Sequence, residues 1–224
     1  MDILNCRFCN IINEIRLGHK PLSLYDTVLL ETTNFFVIPA LGSLVPGYIM
    51  IISRRHIHSM AYLETNEMLE LVSLVKHLEN FILQKIGISP ILFEHGSAIG
   101  CFSKAANSVD HAHLHITPVH IKDEADLIRN SSAIEIPNIR AVTSFKGEPY
   151  FLYINENNRF YLSHNTVLQS QYMRKWIAKE IGRPLEWDWR QFEFMQNIIE
   201  TIELFKHTTN EKSKNMLCQN VSVN

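Results

Sequence analysis

The feature that most constrains this chain is the run His111-Ala112-His113-Leu114-His115-Ile116-Thr117. Successive side chains of a strand point to opposite faces. As a strand, this run aims three imidazoles one way and Ala112, Leu114 and Ile116 the other. The apolar face calls for a core. A polar face of surface histidines is the plainer reading of the other side, and for a lone histidine it would be preferred. Three in strict alternation with apolar residues are hard to explain as packing, because each buried ring nitrogen needs a partner.

An imidazole is largely unprotonated at neutral pH, attacks phosphorus, and departs readily as imidazolium. Negative charge gathers on the phosphoryl oxygens during such a transfer, so donors are needed beside the nucleophile. Asn107 and Ser108 stand just upstream, on a loop entering the strand.

Periodicity elsewhere gives an α+β fold, a mostly antiparallel sheet covered by helices. Residues 6 to 19 read as a helix stopped by Gly18. Residues 27 to 30 and 34 to 38 read as short strands, and 48 to 52 as a buried strand after the Pro46-Gly47 turn. An amphipathic helix is expected over 65 to 86, N-capped by Thr65 and ended by Gly87. A strand at 91 to 94 and a loop from 96 to 107 lead to the histidine strand at 111 to 118. Beyond residue 121 the segments around Lys122 to Asp126 and Asn130 to Ser132 read as polar loops. Strands follow at 150 to 154 and 159 to 162, and helices at 169 to 181 and 191 to 206. The division expected is a catalytic domain over 1–120, a C-terminal α+β extension over 121–206 packing on it, and a disordered tail over 207–224.

The chain has 224 residues, 46% of them hydrophobic and 20% charged, which suits a real core. Its formal charge of −2 offers no broad basic field, so tight sequence-independent nucleic-acid binding is not the default reading. A local basic pocket is compatible with that charge, and nucleic acid stays open as a partner. The N-terminal residues lack a basic, then apolar, leader, and no apolar run is long enough to span a bilayer. The expected location is the cytoplasm, with no membrane partner.

The segment Asn107-Ser108-Val109-Asp110-His111-Ala112-His113-Leu114-His115-Ile116-Thr117-Pro118 resembles the signature of the histidine triad superfamily. Cys6-Arg7-Phe8-Cys9-Asn10-Ile11-Ile12, Pro46-Gly47-Tyr48 through Arg54-Arg55-His56, and Phe93-Glu94-His95-Gly96 resemble other pieces of that family in the same order. The resemblance covers residues 3 to 120. It implies that His113 is the nucleophile forming a nucleotidyl-histidine intermediate, that His115 contacts the phosphate, and that Ser108 helps bind phosphate and leaving group. Asn107 stands where many members have Gln. The implied nucleoside cleft is lined by the first strands, with Phe36, Ile38 and Pro39 as candidates. Many relatives carry an acid just after that strand to hold the ribose; here Pro39-Ala40-Leu41-Gly42 has none. Many members are two-fold dimers, so a homodimer is implied unless the C-terminal region takes the surface such dimers use.

Cys6-x-x-Cys9 supplies two thiolates, and a tetrahedral zinc needs two more ligands. The resemblance supplies them as His56 and His111, with His58 a rival to His56. Four protein ligands make such a zinc structural. The alternative is a pair of reduced, buried cysteines on a helix.

In the extension, Trp176, Trp187 and Trp189 read as packing anchors before base-stacking residues. Arg174, Lys175, Arg183 and Arg190 form either a phosphate-facing patch or a solvated helix face. The functional expectation is a hydrolase acting on a dinucleoside polyphosphate or a nucleoside phosphoramidate. The alternatives are a nucleotidyltransferase using the same intermediate, a nucleotide- or RNA-binding module with little turnover, and a zinc redox protein built on the cysteine pair.

Overall fold

A computed structural model describes residues 6–98, 110–164 and 168–206. The histidine strand lies inside one eight-stranded antiparallel sheet, with strand order β1-β2-β3-β5-β4-β7-β8-β6. In chain order the strands are β1 (Leu30–Glu31), β2 (Phe35–Pro39), β3 (Ile49–Ser53), β4 (Ile91–Gly96), β5 (His113–Thr117), β6 (Ile134–Ile136), β7 (Tyr150–Ile154) and β8 (Phe160–Ser163). The helices are α1 (Arg7–Arg16), α2 (Thr65–Ile86), α3 (Glu124–Ser131), α4 (Tyr172–Glu180) and α5 (Met195–Lys206). None is long and apolar enough to cross a membrane.

The period-2 alternation of the strands sorts the core into two layers. On one face Val37, Ile51, Leu114, Leu92 and Leu152 pack with Leu71, Leu74, Leu78 and Ile82 of α2 and Phe205 of α5. On the other, Phe36, Ile52, Phe93, Phe151 and Tyr161 pack with Phe8 and Ile12 of α1, Leu127 of α3, and Met173 and Ile177 of α4. Burying one such aliphatic side chain stabilises the fold by about 1.5–3 kcal/mol, so α2, with four of them at helical spacing, anchors the first layer. The histidines belong to the second face, beneath α1 and α4.

Strands from beyond residue 121 continue the sheet. β7 runs along β4 from Leu92↔Ile154 to Gly96↔Tyr150, and β8 and β6 follow outward. α5 fastens the loop before β3: the Thr201 hydroxyl accepts the Gly47 N–H at 2.8 Å, and Asn197 donates its side-chain amide to the Ser43 carbonyl at 2.7 Å.

The α+β reading and the long helix agree with the structure, and the differences have local causes. The N-cap of α2 is Glu64, not Thr65: the Glu67 carboxylate three residues on accepts the Glu64 N–H at 2.7 Å, half of a capping box. The first strand shrinks to Leu30–Glu31, because Leu24–Asp26 forms a 3₁₀ turn in which Ser23 donates to Asp26. Residues 124–131, read as loop, form α3. This helix buries Leu127 and Ser131 only, and Ser131 turns its hydroxyl back to the Leu127 carbonyl at 2.8 Å. So short an inward face leaves no apolar period to read. The expected tail beyond residue 206 and most of the expected 96–107 loop lie outside the described residues.

Candidate active site and metal centre

Register places the histidines in two transverse rows on one face of the sheet. Phe36 pairs with Ile52 and Ile52 with His113; Ile38 pairs with Met50 and Met50 with His115, which pairs in turn with Phe93. His113 and His115 sit edge to face with ring centroids 4.9 Å apart. Phe8 of α1 packs edge-on against His111 at 5.6 Å and His113 at 5.4 Å, while Phe93 stacks flat on His115 at 4.4 Å.

Each triad ring has one nitrogen fixed by a different partner. Nδ1 of His113 is 2.7 Å from the His111 carbonyl oxygen. A carbonyl only accepts, so this nitrogen carries the proton and the Nε2 lone pair is free. Nε2 of His111 is 2.7 Å from the Ser53 carbonyl, so by the same logic its Nδ1 lone pair is free. Nδ1 of His115 is 3.1 Å from the Tyr48 hydroxyl. The Arg174 guanidinium also interacts with that hydroxyl. The cation draws the phenol lone pairs, which turns the O–H toward His115 Nδ1 and leaves an N–H at its Nε2. Burial pushes the Tyr48 pKa up to about 12, so the hydroxyl keeps the proton this requires.

Burial holds these rings neutral. It lowers the pKa of His113, opposed by the hydrogen bond to the His111 carbonyl and helped by the charge of Arg7. His115 is lowered well below its ordinary value by burial and then by His113, His95 and Arg174. His95, on β4, is lowered by burial to about 3. His95 stacks on Phe151 at 5.1 Å, and neither of its buried ring nitrogens has a partner.

Arg174 is the one member of the basic group 174, 175, 183 and 190 that turns inward; it is 6% exposed. Lys175, Arg183 and Arg190 lie over the rings of Trp187, Phe194 and Trp189 at 4.5, 4.7 and 5.1 Å. Trp176 and Trp187 pack partly buried against the core, as anchors do.

Cys6, Cys9, His56 and His111 converge, with one ligand atom from each lying within 4.8 Å of all the others. Cys6 Sγ is 3.3 Å and Cys9 Sγ 3.6 Å from His111 Nδ1, and Cys9 Sγ is 3.2 Å from His56 Nδ1. A tetrahedral ion with bonds of about 2.3 Å to sulfur and about 2.1 Å to nitrogen separates such atoms by about 3.6 Å. The donor set therefore fits a metal. The Ser53 carbonyl, by accepting a hydrogen bond from the Nε2–H of His111, turns the correct lone pair inward. Burial, and then the neighbouring Cys6, push the Cys9 thiol up to about 12. His58 is outside this group; its ring stands 5.7 Å from His56 and its buried Nδ1 has no partner.

Of the residues singled out from sequence, His111 and His113 flank Phe8, His115 packs on His113, and Cys6, Cys9 and His56 gather at His111. Phe36 and Ile38 lie in the histidine rows two strands away, fully buried under α1, with Pro39 buried at the end of the same strand. Ser108 and Asn107 lie outside the described residues. Tyr48 and His95 stand inside family-like segments but carry no site role by sequence, and Arg174 is read only as one of four cations in a phosphate-facing patch or a solvated helix face.

Residues 22–121 match the HIT domain family. No curated protein matches the chain significantly. Similar solved structures include a HIT family member from Bacillus subtilis, 20% identical with a TM-score of 0.41, covering 57% of this chain and 93% of that one. A histidine triad protein from Clostridium difficile is 23% identical with a TM-score of 0.37, covering 54% and 95%. A Hit-like protein from Bartonella henselae is 15% identical with a TM-score of 0.40, covering 52% and 81%. The segment that matches the HIT domain family, residues 22–121, contributes β1 to β5 of the eight-stranded sheet.

Proposed function

We propose that this protein hydrolyses a nucleotide phosphate link, in a dinucleoside polyphosphate or a nucleoside phosphoramidate, through a nucleotidyl-histidine intermediate on His113. The observation that carries the reading is the pair of contacts on β5, His113 Nδ1 to the His111 carbonyl and His115 Nδ1 to the Tyr48 hydroxyl, which fit a free Nε2 lone pair on His113 beside an Nε2–H on His115. One is a nucleophile and the other a donor for the phosphoryl oxygens, in a neutral, largely dry setting where such a donor is strong.

In the first step His113 Nε2 bonds to phosphorus, and the bond to the leaving group breaks with its electron pair, a phosphate departing as its anion and an amine taking up a proton from solvent. His115 donates to a non-bridging oxygen as charge develops. Water then attacks the phosphorus, the N–P bond breaks, one proton passes to solvent, and His113 regains its lone pair. The nucleoside has a place in a cleft of about 760 Å³ between α1 and the segment before β1, lined by Arg7, Asn10, Ile11, Ile15, Leu22 and Val28. Its size and mixed lining suit a base and ribose, and Arg7 adjoins Phe8, which touches His113.

Cys6, Cys9, His56 and His111 would hold zinc. Bound there with four protein ligands, zinc supplies a crosslink between α1, the segment after β3 and the entry to β5.

Intact-mass measurement after brief incubation with dinucleoside polyphosphates and nucleoside phosphoramidates tests the reading, with product chromatography alongside. An acid-labile nucleotidyl adduct or monophosphate release, absent in His113→Ala, is the expected result. Folded wild-type protein giving neither across both classes overturns it. Adding a phosphorylated acceptor and finding nucleotidyl transfer in place of hydrolysis identifies a transferase.

A further inference from the structure

We propose that Arg174 and His95 form a second phosphate subsite beside His115, so that the preferred substrate carries a phosphate in its leaving group. The proposal rests on His113 being the nucleophile, and it adds a contribution from the C-terminal region to the specificity of that site.

A guanidinium is always charged, and burying it without a counter-ion is strongly unfavourable. Arg174 is 94% out of solvent, and no ion pair joins it to a carboxylate among the described residues. Its Nε donates to the Trp187 carbonyl at 2.7 Å, and its Nη2 is buried with no partner at all. Asp188, the acid whose charge reaches it, is occupied by the Gln171 amide at 2.9 Å and by the Arg190 N–H at 3.1 Å.

His95 presents a second unsatisfied group on the same face, with both ring nitrogens buried and unpartnered at 9% exposure. The two groups converge on one ring. Arg174 reaches His115 through Tyr48, and His95 and His115 pack on the same Phe93, at 6.1 and 4.4 Å. Unpartnered nitrogens on two buried side chains beside the same ring, one of them cationic, describe a site completed by an anion.

The position identifies the anion's place in the substrate. Arg174 meets the Tyr48 hydroxyl that faces His115 Nδ1 at 3.1 Å, which places it on the His115 side of the nucleophile. With the reacting phosphorus at His113, the Arg174 fork is set to meet the next phosphate along a polyphosphate chain. When the bond to the α-phosphorus breaks, the electron pair passes to that phosphate, and the guanidinium offsets its new charge. An amine or simple alcohol leaving group would leave the Arg174 Nη2 without a partner.

The test uses the full-length protein and inorganic pyrophosphate as the probe, followed by thermal shift, with orthophosphate as the control. Wild type is expected to be stabilised more by pyrophosphate than by orthophosphate at equal concentration. Arg174→Met removes the charge at similar length, so it should melt no lower than wild type without ligand and lose the pyrophosphate shift. Arg174→Lys should keep part of it. In turnover, Arg174→Met should reduce the preference for dinucleoside polyphosphate over phosphoramidate, as a ratio of kcat/KM, by about 30-fold or more. Equal pyrophosphate shifts in wild type and Arg174→Met, or an unchanged preference, overturn the subsite. If Arg174→Met does not fold, Arg174→Lys and His95→Leu decide by the same titration: a full pyrophosphate shift in both overturns the subsite, and a reduced one supports it. If wild type turns over no nucleotide and forms no adduct, the His113 reading fails by itself, while the pyrophosphate titration still decides the subsite.

Discussion

His113 Nδ1 lies 2.7 Å from the backbone carbonyl oxygen of His111, a residue whose own side chain faces the cysteine pair. One residue thus contributes its side chain to the metal cluster and its backbone to the orientation of the neighbouring nucleophile. The sequence interval between them is what makes this possible: two residues on, the strand returns to the same face, and the His113 ring folds back over the preceding peptide.

Replacing His113 with Ala should leave the fold intact, since the ring is only half-buried and its Nδ1 meets a carbonyl at the open start of β5. Turnover should fall by about a thousand-fold or more, as expected for loss of a covalent nucleophile. Steady-state kinetics and nucleotide binding, measured on the same sample, separate the two effects. Loss of binding in proportion to loss of rate would mean that His113 holds substrate and does not attack it.

Cys6→Ser or Cys9→Ser should lower the zinc content from about one per chain and lower the melting temperature. The turnover number should drop as well, because loosening His111 moves the carbonyl that fixes His113. Metal analysis of the purified protein, followed by chelator treatment, checks each step. Wild type that carries no zinc and is indifferent to chelator would return the cysteines to a packing role.

Tyr48→Phe removes the proton that faces His115 Nδ1. His115 then loses its tautomer preference. The turnover number should fall by about tenfold, the worth of one hydrogen bond of about 1.4 kcal/mol, with a smaller change in KM. An unchanged rate would show that His115 finds its tautomer without Tyr48.

Gly42 has φ of +66°, and a Cβ there would lie 2.7 Å from Trp189 Cβ and 2.9 Å from the Phe192 carbonyl oxygen. Trp189 and its neighbours are backbone-tethered through Gln171 and Asp188, so they cannot step aside freely. Gly42→Ala should cost about 2 kcal/mol or more in denaturant unfolding. A variant as stable as wild type would show that the C-terminal region packs on this loop only loosely.

What could be read from sequence follows the range of the signal. The histidine strand and α2 announce themselves through their periods, 2 and 3.6, because each element has one long apolar face. Cys6 and Cys9 are recognisable by residue type and spacing, and His56 and His111 as their partners through family likeness. Tyr48 and Arg174 are not legible, since Tyr48 reads as one more apolar strand residue and Arg174 as one of four cations. Only the sheet, by bringing β3, β5 and α4 to one face, separates Arg174 from its three solvent-side neighbours. α3 is invisible for a different reason: two inward residues, one of them a serine, make no pattern.

Glu94 on β4 is buried on the face opposite the histidines, at 1% exposure. It accepts hydrogen bonds from the Met60 N–H at 2.8 Å and from the Tyr150 hydroxyl. Burial nonetheless raises its pKa from 4.5 to about 7. The folded state then holds a proton that the unfolded chain releases near pH 4.5. Its stabilising effect is full below that pH and is lost as pH rises to about 7, amounting to about 3 kcal/mol for a displacement of this size. Above pH 7 the carboxylate is charged in both states and the dependence ends. Glu94→Gln keeps a neutral group of the same shape, so it should flatten this part of the profile and leave the protein more stable than wild type at pH 8. Urea unfolding of both proteins between pH 4.5 and 8 gives the difference directly. Parallel profiles would mean that Glu94 is ionised throughout, with its two donors outweighing burial.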